Sequence, residues 1–192
     1  MDHKILQTTR ELIDEVGYPA LTVDQVAVRA GVGKAAIYRR YASKAEMAFV
    51  ATAHGQWPPE LADTGSLHGD LLALARTFHG PMAAPAARHL TPALISELAV
   101  NPELVTRFQD TFLAAERAAF AEIIERAVAR GELAGPVDPA TAHLLLLGSL
   151  AAALYILNLP VDDAVVIDLA AAATAGITAL ANRNRGGPDE PA

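Results

Sequence analysis

The sequence contains no cysteine, which excludes disulfide staples, thiolate metal sites and cysteine nucleophiles. Aromatic residues are few, at 5%, and charged residues make up only 19%, whereas 52% of the 192 residues are hydrophobic, many of them alanine. Runs rich in valine, isoleucine and threonine, the usual material of strands, are scarce. What remains is an all-α fold of closely packed helices, in a chain long enough to bury a substantial core without staples. The N-terminal stretch MDHKILQTTRELIDEV is amphipathic and charged and lacks the apolar run of a signal peptide, so a cytoplasmic protein is expected. No G-x-S-x-G, P-loop or dinucleotide fingerprint is present. His3, His54, His68, His79, His89 and His143 do not fall into H-E-x-x-H or an equivalent ligand spacing. No cofactor, no metal site and no enzymatic activity are therefore expected.

Charge is unevenly shared. The formal net charge is -7, yet residues 1–50 hold seven basic against six acidic residues, and the remainder holds eight basic against sixteen acidic. Between Gln25 and Ala45 the chain carries Arg29, Lys34, Arg39, Arg40 and Lys44 and no acid. An anion-binding surface is expected there and nowhere else.

Helical punctuation organises that stretch. Ile5, Leu12, Ile13 and Val16 recur at helical spacing, which predicts a helix from His3 to Val16, closed by Gly17. Thr22 followed by Gln25 is a capping-box pattern that starts a second helix at Val23, with Val23, Val26, Ala27 and Ala30 on its inner face. Gly31 and Gly33 bracket a tight turn. The next helix is predicted over Lys34–Tyr41, with Ile37 and Tyr41 inward and Lys34, Ala35, Ala36, Tyr38 and Arg39 largely outward. Ser43 and Glu46 repeat the capping-box spacing and launch a fourth helix to about His54.

At this point the sequence resembles the TetR family of bacterial transcriptional regulators. The resemblance lies in LTVDQVAVRAGVGKAAIYRRYASKAEM: a threonine cap, an A-x-x-A-G-V turn, I-Y-x-x-Y on the recognition helix, then S-K at the next cap. It is a multi-position match over about residues 5–51, and beyond them only the helical layout matches. The family implies a helix-turn-helix that binds a double-stranded DNA operator, and a helical body with a small-molecule effector pocket and a homodimer interface. In such a complex the N-terminal residues of the recognition helix meet base edges in the major groove. Lys34 and Arg39 are suited to guanine acceptors, and Ala35 and Ala36 are short enough to admit thymine methyls. Tyr38 can give its hydroxyl to a phosphate, as its family counterpart often does. Thr22, Arg40 and Lys44 suit phosphate contacts, which position without specifying sequence. Where family members often carry serine this chain has Gly33, so a serine contact is missing there.

The body begins after a Pro- and Gly-rich hinge over 55–66. Helices are predicted from Leu67 to Phe78, broken by Gly80-Pro81, and from a Thr91-Pro92 cap through Val100. Asn101-Pro102 opens the longest element, stopped by Gly131, with Glu103/Arg107 and Glu122/Arg126 as ion pairs one turn apart. Asp138-Pro139 and Asp162 cap two last helices, to about Asn158 and Ala181, that are apolar nearly all round and rich in small residues. More apolar surface than one protomer can cover suggests a four-helix bundle with a second copy through about 139–181. Asp168 and the missing basic flanks argue against a membrane hairpin. A pocket, where one exists, is expected among Trp57, Phe78, Met82, Phe108, Phe112, Phe120, His143, Leu147 and Tyr155. The expected division is a head over 1–51, a body over 52–182 and a disordered tail over 183–192. The expected function is a dimeric, ligand-released repressor reading a palindrome. The rivals are a ligand-independent or activating regulator and, from another class, a helical carrier or enzyme.

Overall fold

A computed structural model describes residues 2–53 and 61–185, and every regular element among them is helical. In chain order these are α1 (Asp2–Ala20), α2 (Val23–Ala30), α3 (Lys34–Tyr38), α4 (Lys44–Ala53), α5 (Leu67–Ala83), α6 (Pro85–Leu98), α7 (Pro102–Phe108) and α8 (Ala114–Ala129). Two last elements follow, α9 (Pro139–Ile156) and α10 (Asp163–Arg185). Trp57 and His54 lie outside the described residues, as do residues 55–60 of the expected hinge. So do residues 186–192 of the expected tail, and its first three residues are the last turn of α10.

The described residues fall into two compact units, one of residues 2–53 and 84–111, the other of residues 61–83 and 112–185. The first unit is the expected head together with α6 and α7. Ile5, Leu12 and Ile13 of α1, Val26 of α2, Ile37 of α3 and Met47 of α4 share one buried cluster with Leu90 and Leu94 of α6 and Leu104 of α7. Val16, expected on the inner face of α1, is instead 43% exposed. Gly17 breaks α1 with φ 76°, a left-handed conformation that side chains resist, and one more turn carries the chain to Ala20. Arg10 ties α1 to α4 by donating through Nε (3.1 Å) and Nη2 (2.7 Å) to the carbonyl of Ala51.

Several expected boundaries need correction. Helix α3 ends at Tyr38 rather than Tyr41, although Tyr41 is still buried. Gly80-Pro81 does not break α5, which continues to Ala83. The break falls at Ala84, whose extended conformation (ψ 142°) is the one a residue before proline prefers, and Pro85 then opens α6. Thr91-Pro92 is no cap either, because Pro92 lies inside α6. Leu90 and Leu94, both 1% exposed, anchor the helix on either side of it, and tertiary packing carries the element past the lost hydrogen bond. Neither expected ion pair forms: Arg107 turns to Glu46, and half-buried Arg126 has Nε and Nη2 buried without a hydrogen-bond partner among the described residues. The long element after Asn101 is interrupted by a π-helical turn at Gln109–Leu113, and α9 holds two more, at Leu144–Gly148 and Ala152–Ile156.

In the second unit α5 packs on α8 and α10, and α9 packs on α8 and α10. Leu71, Phe120, Ile123, Leu146, Leu150, Val166 and Ile177 form its buried interior. A Cβ on Gly176 of α10 would stand 3.2 Å from Leu145 Cδ1 of α9, so these two helices approach closely there. The unit is stapled by Asp70, which is 1% exposed. Its carboxylate accepts from the Thr64 amide (2.8 Å), the Thr64 hydroxyl (2.8 Å) and Arg130 Nη2 (3.1 Å). Glu132 reaches back to accept from the Leu67 amide at 2.8 Å. Helices α9 and α10 are also long and apolar enough to cross a membrane, with mean hydropathy 1.6 over Pro139–Ile156 and 1.9 over Asp163–Arg183, and a third or less of each is buried within the protomer.

Candidate nucleic-acid interface

The head presents a short helix on two well-made turns. At the start of α2 the Thr22 hydroxyl accepts from the Gln25 amide (3.2 Å), and the Gln25 side chain accepts from the Thr22 amide (2.8 Å), completing the capping box. The Thr22 hydroxyl also donates to Gln25 Oε1 (3.0 Å), so a phosphate contact would take that proton from the glutamine. Gly31 closes α2 in the left-handed region (φ 66°), and the Val32 amide folds back onto the Ala27 carbonyl at 3.0 Å. Gly33 leads into α3 with no side-chain cap. Ile37, 1% exposed, then pins α3 to the core.

With Ile37 inward, Lys34, Ala35, Tyr38 and Arg39 are exposed, and Ala36 and Arg40 half-buried. Tyr38 is 48% exposed and its hydroxyl makes no hydrogen bond among the described residues. The Arg39 guanidinium is likewise without a hydrogen bond or ion pair among them. The other cations are not free. Lys34 Nζ sits 2.9 and 3.0 Å from the two oxygens of Asp24, whose hydrogen bond and charge hold the ammonium above its ordinary pKa. Arg40 pairs with Asp2 and donates to the Ala36 carbonyl at 3.1 Å, and Arg29 pairs with Glu15 at 2.7 Å. The stretch without acids in sequence thus acquires three carboxylates in space, Asp24 from its edge and Asp2 and Glu15 from α1.

Lys44 is turned partly inward. Its ammonium donates to the carbonyls of Tyr18 (3.2 Å) and Leu21 (3.1 Å) and lies 4.3 Å from the centre of the Tyr18 ring. It locks the start of α4 to the last turn of α1 and the residue after it. Glu46 closes the same turn: its amide donates to Ser43 Oγ (3.0 Å), and its carboxylate accepts from the Ala42 amide. The sequence pattern did not single out Lys4, and it assigned Arg107 to Glu103 on the outer face of its own helix. Lys4 Nζ lies 3.7 Å from where a Cβ on Gly31 would be, beside the turn of the motif. Arg107 donates to Glu46 (2.9 Å) and to the Arg40 carbonyl (3.4 Å). These contacts were not visible beforehand, because they span more than sixty residues.

The expected pocket residues do not form one set. Phe108 belongs to the head, its ring edge-on to Phe49 at 5.4 Å. Phe78, Met82, Phe112, Phe120, His143, Leu147 and Tyr155 belong to the body unit. There His143 contacts the Glu116 carboxylate through Nε2 and meets the fully buried Phe120 edge-on at 5.7 Å. The Tyr155 hydroxyl donates to the Met82 carbonyl at 2.9 Å. Phe78, Phe112 and Leu147 are buried core residues. Two shallow grooves lie on the head instead, one along Leu98–Thr106 and one between α1 and α2 beside Leu12, Val28 and Arg29.

Residues 5–51 match the family model of bacterial regulatory proteins of the tetR family, and residues 61–173 match that of the tetracyclin repressor-like C-terminal domain. An HTH-type transcriptional regulator of Mycobacterium bovis is 36% identical over 134 residues, covering 68% of this chain and 64% of its own length. The chain thus aligns with about two thirds of that relative. The HTH-type transcriptional regulator YdeS of Bacillus subtilis is 31% identical over 188 residues, covering 92% of this chain and 90% of its own. Among solved structures, the TetR family transcription regulator SCO0332 superposes with a TM-score of 0.74 at 28% identity, covering 91% of this chain and 97% of its own. With a capped helix-turn-helix, an all-helical body and both family models matched in order along it, the chain belongs to the TetR family of bacterial transcriptional regulators.

Proposed function

We propose that the protein is a homodimeric, cytoplasmic repressor that binds a palindromic operator and is released by a small-molecule effector. The observation that carries the DNA-binding half is the outward face of α3, where Lys34, Ala35, Tyr38 and Arg39 are exposed over the buried Ile37. In this reading Lys34 and Arg39 meet base edges, Ala35 and Ala36 admit methyl groups, and Tyr38, Thr22, Arg40 and Lys44 meet phosphates. The repressor role follows the family, whose C-terminal model is named for a repressor. Dimerisation is supported by apolar surface left uncovered on α9 and α10, including Leu144 (66% exposed) and Ile156 (76%). A second copy covers such a surface without a membrane, and the exposed Asp168 and the Arg76–Asp163 pair at the start of α10 fit water better than lipid. The effector site is proposed in the body, where the His143–Glu116 pair and Tyr155 are the polar groups among Phe78, Met82, Phe112 and Leu147. Selection of genomic fragments by the purified protein, followed by a screen for compounds that release it, tests both halves. Recovery of no common sequence would defeat the first, and a bound operator that no compound releases would favour a ligand-independent regulator.

Two substitutions probe the interface. Arg39→Ala should relax base preference at one position in each half-site, and selection returning an unchanged consensus removes Arg39 from the reading set. Asp24→Asn should free Lys34, which on random-sequence DNA has phosphates rather than a matched base to meet. Binding to random-sequence DNA should then strengthen and its salt dependence steepen by about one unit. An unchanged slope would mean that Asp24 does not withhold the lysine.

A further inference from the structure

We infer that Arg107 of α7 is a positioning residue for the recognition helix, holding the far end of α3 from outside the helix-turn-helix. This rests on α3 being the reading element. Helix α3 has only five residues, too few to fix its own direction. Its near end is set by the glycine turn, and Ile37 sets its depth. Its far end runs into residues 39–43, which contain no helix. Arg40 and Tyr41 fold their amides back onto the Ile37 carbonyl (2.9 and 3.0 Å), the Tyr41 side chain is buried, Arg40 pairs with Asp2, and Arg107 grips the segment from α7.

The grip is a fork. Arg107 Nη2 donates to Glu46 Oε2 at 2.9 Å and Nη1 to the Arg40 carbonyl at 3.4 Å. The same Glu46 oxygen accepts from the Ala42 amide. One guanidinium therefore fixes the Arg40 carbonyl and, through one carboxylate, the Ala42 amide, on either side of Tyr41 in the segment that ends the recognition helix. The Glu46 side chain is 12% exposed, so this side of the pair is shielded from solvent, while the Arg107 side chain is 44% exposed. Phe108, next in α7, packs edge-on against Phe49 of α4 and keeps α7 seated where the fork reaches. Both acceptors of Arg107 belong to the protein, so its contribution to DNA binding is geometric. A lysine in its place offers one point charge and cannot span both acceptors.

The test compares Arg107→Ala and Arg107→Lys with the parent protein on its selected operator and on random-sequence DNA. Arg107→Ala should weaken operator binding roughly three- to tenfold, leave random-DNA binding and the salt slope unchanged, and speed amide exchange at Ala42. Arg107→Lys should fall between. Equal losses on both DNAs with a slope lower by about one would make Arg107 a phosphate contact and overturn the inference. Unchanged operator affinity in both variants would overturn it as well. Should the alanine variant fail to fold, the lysine variant and the exchange at Ala42 decide. A parent protein that selects no sequence would refute the DNA-binding reading, a separate outcome from failure of the fork.

Discussion

Replacing Ala175 by glutamate should leave a folded monomer at micromolar concentration whose affinity for a two-half-site operator is lower by on the order of 10²–10⁴-fold. Ala175 is exposed on α10, in a stripe with Ala164, Ile167, Asp168, Ala171 and Ala179, all exposed, while Val166, Ala170, Ala173, Ile177 and Ala181 on the opposite side are buried. The protomer has no use for the stripe, so a surface change there should alter its own stability by no more than about 0.5 kcal/mol. In the proposed dimer the same position is dry. A carboxylate buried without a partner costs several kcal/mol, and two-fold symmetry imposes that cost twice. The loss on DNA follows because two linked heads bind as one unit, the second at a high effective concentration. Sedimentation and operator titration on the same sample check it. A variant that remains dimeric, or a monomeric parent protein, would sink the four-helix bundle.

The second large effect concerns the body alone. Asp70→Ala should destabilise this unit by about 2–4 kcal/mol, because it strips three donors of their buried acceptor and leaves the guanidinium groups of Arg130 and Arg126 uncompensated. Arg130, 24% exposed at its side chain, recovers part of this through Asp63 and Glu132. Burial by itself would raise the pKa of Asp70, but the amide and hydroxyl of Thr64, the hydrogen bond from Arg130 and the charge of Arg126 outweigh it and set the pKa below its ordinary value. A depressed folded-state pKa gives stability that is present above the unfolded value, about 3.9, and is lost as pH falls through the folded one. The parent body should therefore lose stability on acidification below about pH 4, and Asp70→Ala should flatten that part of the curve. Thermal unfolding from pH 3 to pH 7 measures both. Parallel curves would show that Asp70 contributes no linkage. Gly69 belongs to the same staple, since a Cβ there would overlap the Thr64 hydroxyl, and alanine should be poorly tolerated.

Local signals were read well where the deciding partner lies within one turn. Thr22 with Gln25, Asn101 before Pro102, and Asp138 before Pro139 all cap the helices expected of them, and Gly17, Gly31 and Gly131 all take positive φ at helix ends. Signals that compete with distant packing were misread. Pro81 and Pro92 look like breakers in sequence, and only the burial of leucines around Pro92 and the constraint of Pro85 on Ala84 show which proline acts. The π-helical turns leave no mark in composition. For the interface, the face of α3 was legible because Ile37 and Tyr41 fix which side points inward. The partners of its cations were not, because Asp2 and Glu15 arrive from α1 by tertiary folding. Lys44 illustrates the same limit: its charge is plain in sequence, but its engagement by two backbone carbonyls is not.

The carboxylates paired with Arg29, Lys34 and Arg40 bear on how such a head would search a chromosome. Exposed pairs of this kind contribute little to stability and break readily, so they act mainly on encounters. On random DNA each phosphate must displace a carboxylate, which keeps dwell times short and favours many brief landings over long slides. At an operator, contacts with bases would add to those with phosphates, and the carboxylates displaced from Lys34 and Arg40 would be left to water. In the proposed complex the paired acids would thus trade tenacity at wrong sites for speed in reaching the right one.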